Sequence, residues 1–502
     1  MTALRGFGCT LAIAVVASLG CSSGAPARGS GGAGASGSAG ATSGGGGAGT
    51  GVPASGVAGS GAGGTGTGTG TGGAIASGAG GTATAGASGG GGASGGGGTS
   101  GASGAAGATD GGASQDARPT SDASGQAGAG GIAGDTFLPW AGGAAYYKKW
   151  THGPPSDASF WPIMVWLQSP PNATKYKNVG INFFVGLYQG PTDAQLTQLA
   201  AAGIPTICDQ AGVWKAHAND TTIRGWLQPD EPDNAQSNGS GGYDPCIAPA
   251  TIVAGYQTMV TNDATRPVML GLGRGVADTS WVGRGTCSGM TAMYPMYAMG
   301  GDILAFDIYP VNEGVPLEMV PAGVDNLIKW SGGTKPVIAD IEASNFNNTA
   351  RPSPAQIRSE VWMAIVHGAA GTQYFCHRFT PTFSETDCLD DMPTGAAMKS
   401  INAQLTALAP VLNTPPVGNG VTVKSSAAAI PVDVLLKRQG GATYLFATEM
   451  RGGSTHATFT FARLPATASA EVLGESRTLP VTNGVLEDDF QSYGVHLYKL
   501  TY

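Results

Sequence analysis

From Trp161 onward, short apolar runs alternate with stretches whose apolar positions recur at helical spacing. The runs cover 163–167, 180–186, 204–208, 225–227, 267–272, 303–309, 336–341 and 371–376. Each is apolar on both faces, the pattern of parallel strands buried beneath helices. Between them, 193–202 is amphipathic and stops at Gly203, a helix C-terminal signal. Further helices are predicted over 249–262, 316–330, 354–369 and 394–408. The stretch 209–222, after the third run, is too short and polar to show one. Eight strand-then-helix units over about 280 residues predict a (β/α)8 TIM barrel. An open doubly wound sheet is the competing arrangement, but no glycine-rich phosphate loop follows the first run.

Beyond Pro410 the period changes to two. Segments starting at Val421, Val432, Thr443, Thr458 and Val495 alternate apolar and polar residues, some of them separated by Gly440-Gly441 and Gly452-Gly453. This predicts a small antiparallel β-sandwich. It carries no tryptophan, whereas sugar-binding modules usually expose aromatics, so a structural role packed on the barrel is expected.

Residues 22–135 are nearly all Gly, Ala, Ser and Thr. Such a segment cannot bury enough apolar surface to offset its ordering entropy, and reads as a disordered linker. Ahead of it stand Arg5, a short apolar run over 11–19 and then Cys21, the layout of a secretory signal. That run is too short to span a bilayer. Ser18-Leu19-Gly20-Cys21 resembles a bacterial lipobox, although Leu19 stands one place late and Ser18 fills its usual position. The expected organisation is therefore a lipoprotein-like signal over 1–21, linker over 22–135, (β/α)8 barrel over 136–414 and β domain over 415–502. The expected location is the cell surface or the medium, with membrane contact only through a lipid on Cys21.

The formal charge is −8 and there is no basic stripe, which argues against a nucleic-acid partner. No metal-ligand spacing appears, and no metal, cofactor or second subunit is expected. Export permits disulfides, and Cys246–Cys287 and Cys376–Cys388 are candidate pairs that leave Cys208 buried in a strand. Spacing alone does not fix that connectivity.

The chemistry rests on acids at strand ends. Glu231 follows the fourth run and Glu342 closes the seventh. Substrate-facing groups of such a barrel sit at the C-terminal ends of its strands. Two carboxyls on different strands, one protonated and one ionised, are what cleavage of a glycosidic bond needs. Period two pairs Asp340 with Glu342 and Asp307 with Tyr309, placing the two aspartates one layer deeper. Trp166, Trp214, Trp226 and His377 are candidates for stacking on sugar rings.

The stretch from about 160 to 408 resembles the retaining glycosidases with (β/α)8 barrels called clan A. The resemblance lies in 226–233, Trp-Leu-Gln-Pro-Asp-Glu-Pro-Asp, and in 335–342, Lys-Pro-Val-Ile-Ala-Asp-Ile-Glu. It implies Glu231 as acid/base, Glu342 as nucleophile, Tyr309 as the nucleophile's support and a carbohydrate substrate. The family usually has Asn before the acid/base; this chain has Asp230, which adds negative charge beside it. Alternatives remain at both acids. Glu231 also fits a plain turn residue before Pro232. Glu342 also fits a helix cap, which would leave Asp340 as nucleophile. A non-catalytic glycan-binding protein on a retained barrel is the alternative for the whole chain.

Overall fold

The computed structural model describes residues 131–238, 242–281 and 290–502. The expected signal, Cys21 and nearly all of the linker lie outside the described residues. Eight parallel strands close a barrel: β1 (Ile163–Gln168), β2 (Phe183–Leu187), β3 (Thr206–Cys208), β4 (Ile223–Leu227), β5 (Val268–Leu272), β6 (Ile303–Asp307), β7 (Val337–Glu342) and β8 (Thr372–Phe375). Pairing of β1 with β8 completes the ring and excludes an open sheet.

The surrounding helices include α1 (Gly143–Tyr147), α2 (Ala173–Asn178), α3 (Asp193–Ala202), α4 (Pro249–Asn262), α5 (Pro310–Glu313), α6 (Met319–Trp330), α7 (Pro354–Val366) and α8 (Met392–Leu412). Local chemistry explains their ends. Thr192 and Gln195 cap α3 reciprocally, and Gly203 ends it in the left-handed conformation. Ser353 and Gln356 do the same for the start of α7. After β3 the chain makes turns instead of a helix, and Val213 and Trp214 pack on the core in its place.

Two apolar layers follow from the strand alternation. The larger lies between strands and helices and contains Trp226, Phe306, Ile341 and Trp362. The smaller fills the barrel interior with Met164, Phe183, Ile207, Met269, Ala305 and Ile338. Tyr147 of α1 belongs to it, and the Tyr146 hydroxyl donates to the carbonyl of Asp302, just before β6. The N-terminal end of the barrel is thereby plugged, leaving the C-terminal end open.

The β domain has eight antiparallel strands: β9 (Val421–Ser425), β10 (Val432–Gln439), β11 (Ala442–Glu449), β12 (Thr455–Phe461), β13 (Thr467–Val472), β14 (Arg477–Thr482), β15 (Val485–Phe490) and β16 (Val495–Thr501). All belong to one hydrogen-bonded sheet, ordered β9-β12-β15-β14-β13-β16-β11-β10. It wraps a single core in which Leu436, Phe459 and Leu486 share one cluster. The domain packs on α7, where the rings of Trp362 and Phe446 lie 5.1 Å apart. Arg358 and Ser359 of α7 donate to the carbonyls of Val495 and Tyr493.

The same seam holds His367, whose two ring nitrogens face Asp325 of α6 at 2.9 Å and Asp433 of β10 at 3.1 Å. Burial opposes its charge, but hydrogen bonds to the two carboxylates prevail and raise its pKa to about 9. A raised histidine stabilises the fold fully below its unfolded value near 6.5, and that stability is lost as pH rises through about 9. Both aspartates are exposed, so the contribution is on the order of 1 kcal/mol. His367→Gln should lower the melting temperature at pH 6 and converge with the parent near pH 10. A constant difference across that range would count against the bridge.

The Cys376–Cys388 disulfide is present. Cys246 is disulfide-bonded, while Cys287 lies outside the described residues. Cys208 is free and buried in β3. Among the described residues, no group of His, Cys, Asp and Glu could hold a metal, and no helix is long and apolar enough to cross a membrane.

Candidate active site

Strand register builds the mouth. Asp307 of β6 pairs with Asp340 of β7, which pairs with Gln373 of β8. The three side chains thus form one row across adjacent strands, one level above the apolar filling. Gln373 Nε2 donates to Asp340 Oδ2 at 2.7 Å. Asp307 Oδ1, Asp340 Oδ1 and Gln373 Oε1 are buried and meet no protein donor. Leaving such acceptors unpaired costs about 1–3 kcal/mol each. A ligand offering hydroxyl donors would satisfy them.

Burial, reinforced by the charge of Glu231, pushes Asp340 up to about 7. Asp307 rises well above the usual carboxylate range, first through burial and then through Glu231 and Asp340. Tyr309, whose hydroxyl pairs with Asp307, is held well above the ordinary phenol range by burial and then by Asp307, Asp340 and Glu231.

Glu231 enters this group from β4. Gln228 anchors the turn by donating to the carbonyls of Ile252 at 2.9 Å and Gly300 at 2.8 Å. Asp233 is buried beneath the turn and accepts from the amide of Gly273 at 2.8 Å and the hydroxyl of Tyr294 at 2.9 Å. Burial raises Asp233 to about 6. Glu231 itself has φ of 39°, a conformation unfavourable for a residue with a Cβ. The amide of Asn234 and the side chain of Gln236 hold its carbonyl, each at 3.0 Å. Backbone held in such a state is a mark of a positioned functional group. A methyl at Gly273 would lie 2.7 Å from Glu231 Oε1, so any larger residue there would displace that carboxylate. Asp230 beside it is exposed and adds its charge to the field at Asp307.

Glu342 does not join them. Its exposure is 0%, and its carboxylate turns sideways into the first turn of α5. Oε1 accepts from the amide of Val311, and Oε2 from the amide of Asn312 at 3.0 Å and its Nδ2 at 2.6 Å. Glu360 of α7 is fully buried behind it, and its carboxyl is pushed well upward by burial and by the Glu342 charge. The expectation that Asp340 and Glu342 point the same way therefore fails. Period two holds while a strand is extended and unclaimed. Here three donors of the neighbouring β6–α5 connection capture the terminal carboxylate. Asp340, one residue pair deeper and 7% exposed, faces the mouth instead.

The aromatic candidates divide. Trp166 lies on the interior side, partly exposed. His377 is buried at the mouth, its Nε2 2.7 Å from the carbonyl of Leu167, and burial lowers its pKa to about 4. Trp226 is on the helix side, where its indole donates to Asp263 at 3.1 Å and carries the guanidinium of Arg266 over its ring. Trp214 packs on the same outer layer. Neither reaches the mouth. Sequence reading missed Gln373, Asp233 and Gly273, and the rings of Phe346 and Phe375 packed on Tyr309. The odd spacing of Gln373 from the outer-layer residues Tyr374 and Cys376 was the available signal.

The fold and mouth define a (β/α)8 barrel with an acidic C-terminal face, followed by an antiparallel β domain. No protein-family model and no curated protein matches the chain. Solved structures that resemble it include an α-amylase from Geobacillus thermoleovorans complexed with acarbose (10% identity, covering 68% of this chain and 98% of that one, TM-score 0.38). A GH30 endoxylanase from Clostridium papyrosolvens (11%, 73% and 97%, TM-score 0.38) also resembles it. So does a maltogenic α-amylase from Thermotoga neapolitana (10%, 68% and 99%, TM-score 0.37). These are likenesses of fold between chains of very different sequence.

Proposed function

We propose that the protein is a glycoside hydrolase acting on an extracellular oligo- or polysaccharide, with Glu231 and Asp340 as its working carboxyls. The observation that carries this is the row of buried, unpaired acceptors on Asp307, Asp340 and Gln373 beside Glu231. It offers a polyhydroxylated ring several hydrogen bonds, with two carboxyls in range of one another's field.

Glu231, the more accessible acid, donates its proton to the glycosidic oxygen as the C–O bond breaks. Asp340, ionised and oriented by Gln373, forms the bond to the anomeric carbon. Glu231 then takes a proton from water, the water oxygen attacks that carbon, and Asp340 leaves as carboxylate. Asp307 stays protonated and can donate to a substrate hydroxyl, with Tyr309 holding it. The low exposure of Asp340 leaves little space for a water beneath the sugar, which favours direct attack and retention. Glu342 then serves to fix the β6–α5 connection that carries Tyr309.

The test is incubation with a polysaccharide panel, following reducing ends and, by NMR, the anomer first released. Release with retention is expected. Asp340 must be ionised, so the acid limb of kcat/KM should fall about tenfold per unit as pH drops below about 7, and the need for a protonated Glu231 should close the profile on the alkaline side. An inverted first product would remove the covalent step. Tight glycan binding with no turnover would leave the non-catalytic binding protein as the better reading.

Export and tethering through a lipid on Cys21 belong to the same proposal, because the linker would let the barrel reach polymer outside the cell. An unacylated mature N-terminus would overturn the anchor.

A further inference from the structure

The rings around Tyr309 do not end at the acids. Phe375 lies 4.9 Å from Tyr309, 5.4 Å from His377 and 6.1 Å from Phe379, centroid to centroid. Phe379 and Phe383 lie 6.2 Å apart with planes 25° from parallel, and Phe383 meets Tyr188, after β2, at 6.0 Å. The result is a continuous lane of aromatic faces from the acid row outward across β8 towards β2. Its inner members are buried; its outer end is open, with Phe383 39% exposed. A phenylalanine kept that far from the core gains little from burial.

The loop that presents the lane is rigid. The Cys376–Cys388 disulfide closes its base. Arg378 and Ser384 exchange backbone hydrogen bonds of 2.9 Å in both directions. Asp387 binds the guanidiniums of Arg378 at 2.8 Å and Arg351 at 2.6 Å. Glu385 ties the far side to Ser169 at 2.7 Å and Asn172 at 2.7 Å. So much pinning around two outward rings is what a preorganised binding surface requires.

We infer that Phe379, Phe383 and Tyr188 form a second sugar-binding position that stacks a pyranose of a neutral glycan, displaced along the chain from the bond being cut. This rests on the hydrolase reading and extends it to substrate class. The C–H bonds on one face of a pyranose carry slight positive charge and match the negative face of an aromatic ring. Neutrality follows from the surroundings. His377 is uncharged beneath the lane, Arg378 is committed to Asp387, and the adjoining mouth carries Asp230, Glu231 and Asp340. Uronates or sulfated sugars would meet these carboxylates, while the guanidinium of this loop, that of Arg378, is already held by Asp387.

The experiment uses the full chain and cello-, xylo- and malto-oligosaccharides of two to six units, with the matching 4-nitrophenyl monoglycosides. Phe383→Ala and Tyr188→Ala should each lower kcat/KM on the six-unit substrate about tenfold and leave the monoglycoside unchanged, and Phe383→Trp should restore it. Equal losses on both substrates, or none on either, would overturn the lane. Calorimetric binding separates this from the hydrolase reading. A wild type that binds hexamer without cutting it, and loses affinity in Phe383→Ala, keeps the lane and removes the hydrolase. No binding of any series at millimolar concentration removes the lane.

Discussion

Asp340→Asn is expected to lower kcat/KM by ~10³–10⁴-fold while leaving the melting temperature close to that of the parent. The substitution keeps size and the hydrogen bond to Gln373 within reach, and removes only the charge that would attack the anomeric carbon. Glu342→Gln should behave in the opposite way. Both oxygens of Glu342 accept hydrogen bonds, so an amide nitrogen there must face an N–H of Val311 or Asn312. The loss should be about 1–3 kcal/mol of stability, with activity per folded molecule reduced much less than by Asp340→Asn. Kinetics on an activated aryl glycoside, with melting curves of both variants, separate the two. An inactive Glu342→Gln of unchanged stability beside an active Asp340→Asn would return the nucleophile to Glu342.

Glu231→Ala should be selective for the leaving group. With a poor leaving group, such as a sugar alkoxide, loss of the proton donor should cost ~10²–10⁴-fold. With 2,4-dinitrophenolate, which needs no proton, the first step should be nearly intact and the second slow. A burst of phenolate followed by slow turnover is then expected, and azide should relieve the slow step by replacing activated water. Uniform loss on both substrates, unrelieved by azide, would mean that Glu231 only shapes the turn before Pro232.

Why the two acids separated as they did is a matter of which donors lie nearby. The alternation along 337–342 is legible in the chain and turns Asp340 to the inner face, where Asp307 and Gln373 prove to be its neighbours on the adjacent strands. It also aligns Glu342 with them. What it cannot contain is the first turn of α5, some 30 residues earlier, whose amides take that carboxylate. Trp226 shows the same limit. An indole at a strand position reads equally as core or as sugar platform, until Asp263 and Arg266 close around it on the helix side. Phe379 and Phe383 gave no sequence signal at all, because nothing in 376–388 predicts that two loop rings will stack and stay exposed.

The sequence by itself determined the main elements and their kind: eight two-sided apolar runs, the five helices read between them with the stop at Gly203, the change to period two after Pro410 and the position of the acidic turn at Glu231. These are local properties, set by neighbours a few residues away. Only the tertiary structure decided that the strands close, that Asp307, Asp340 and Gln373 share one level, that Glu342 is claimed from the side, and that a disulfide-pinned loop carries the rings outward. Each of those is a contact between segments far apart in the chain, and its energy depends on burial and partners that exist only once the barrel has formed.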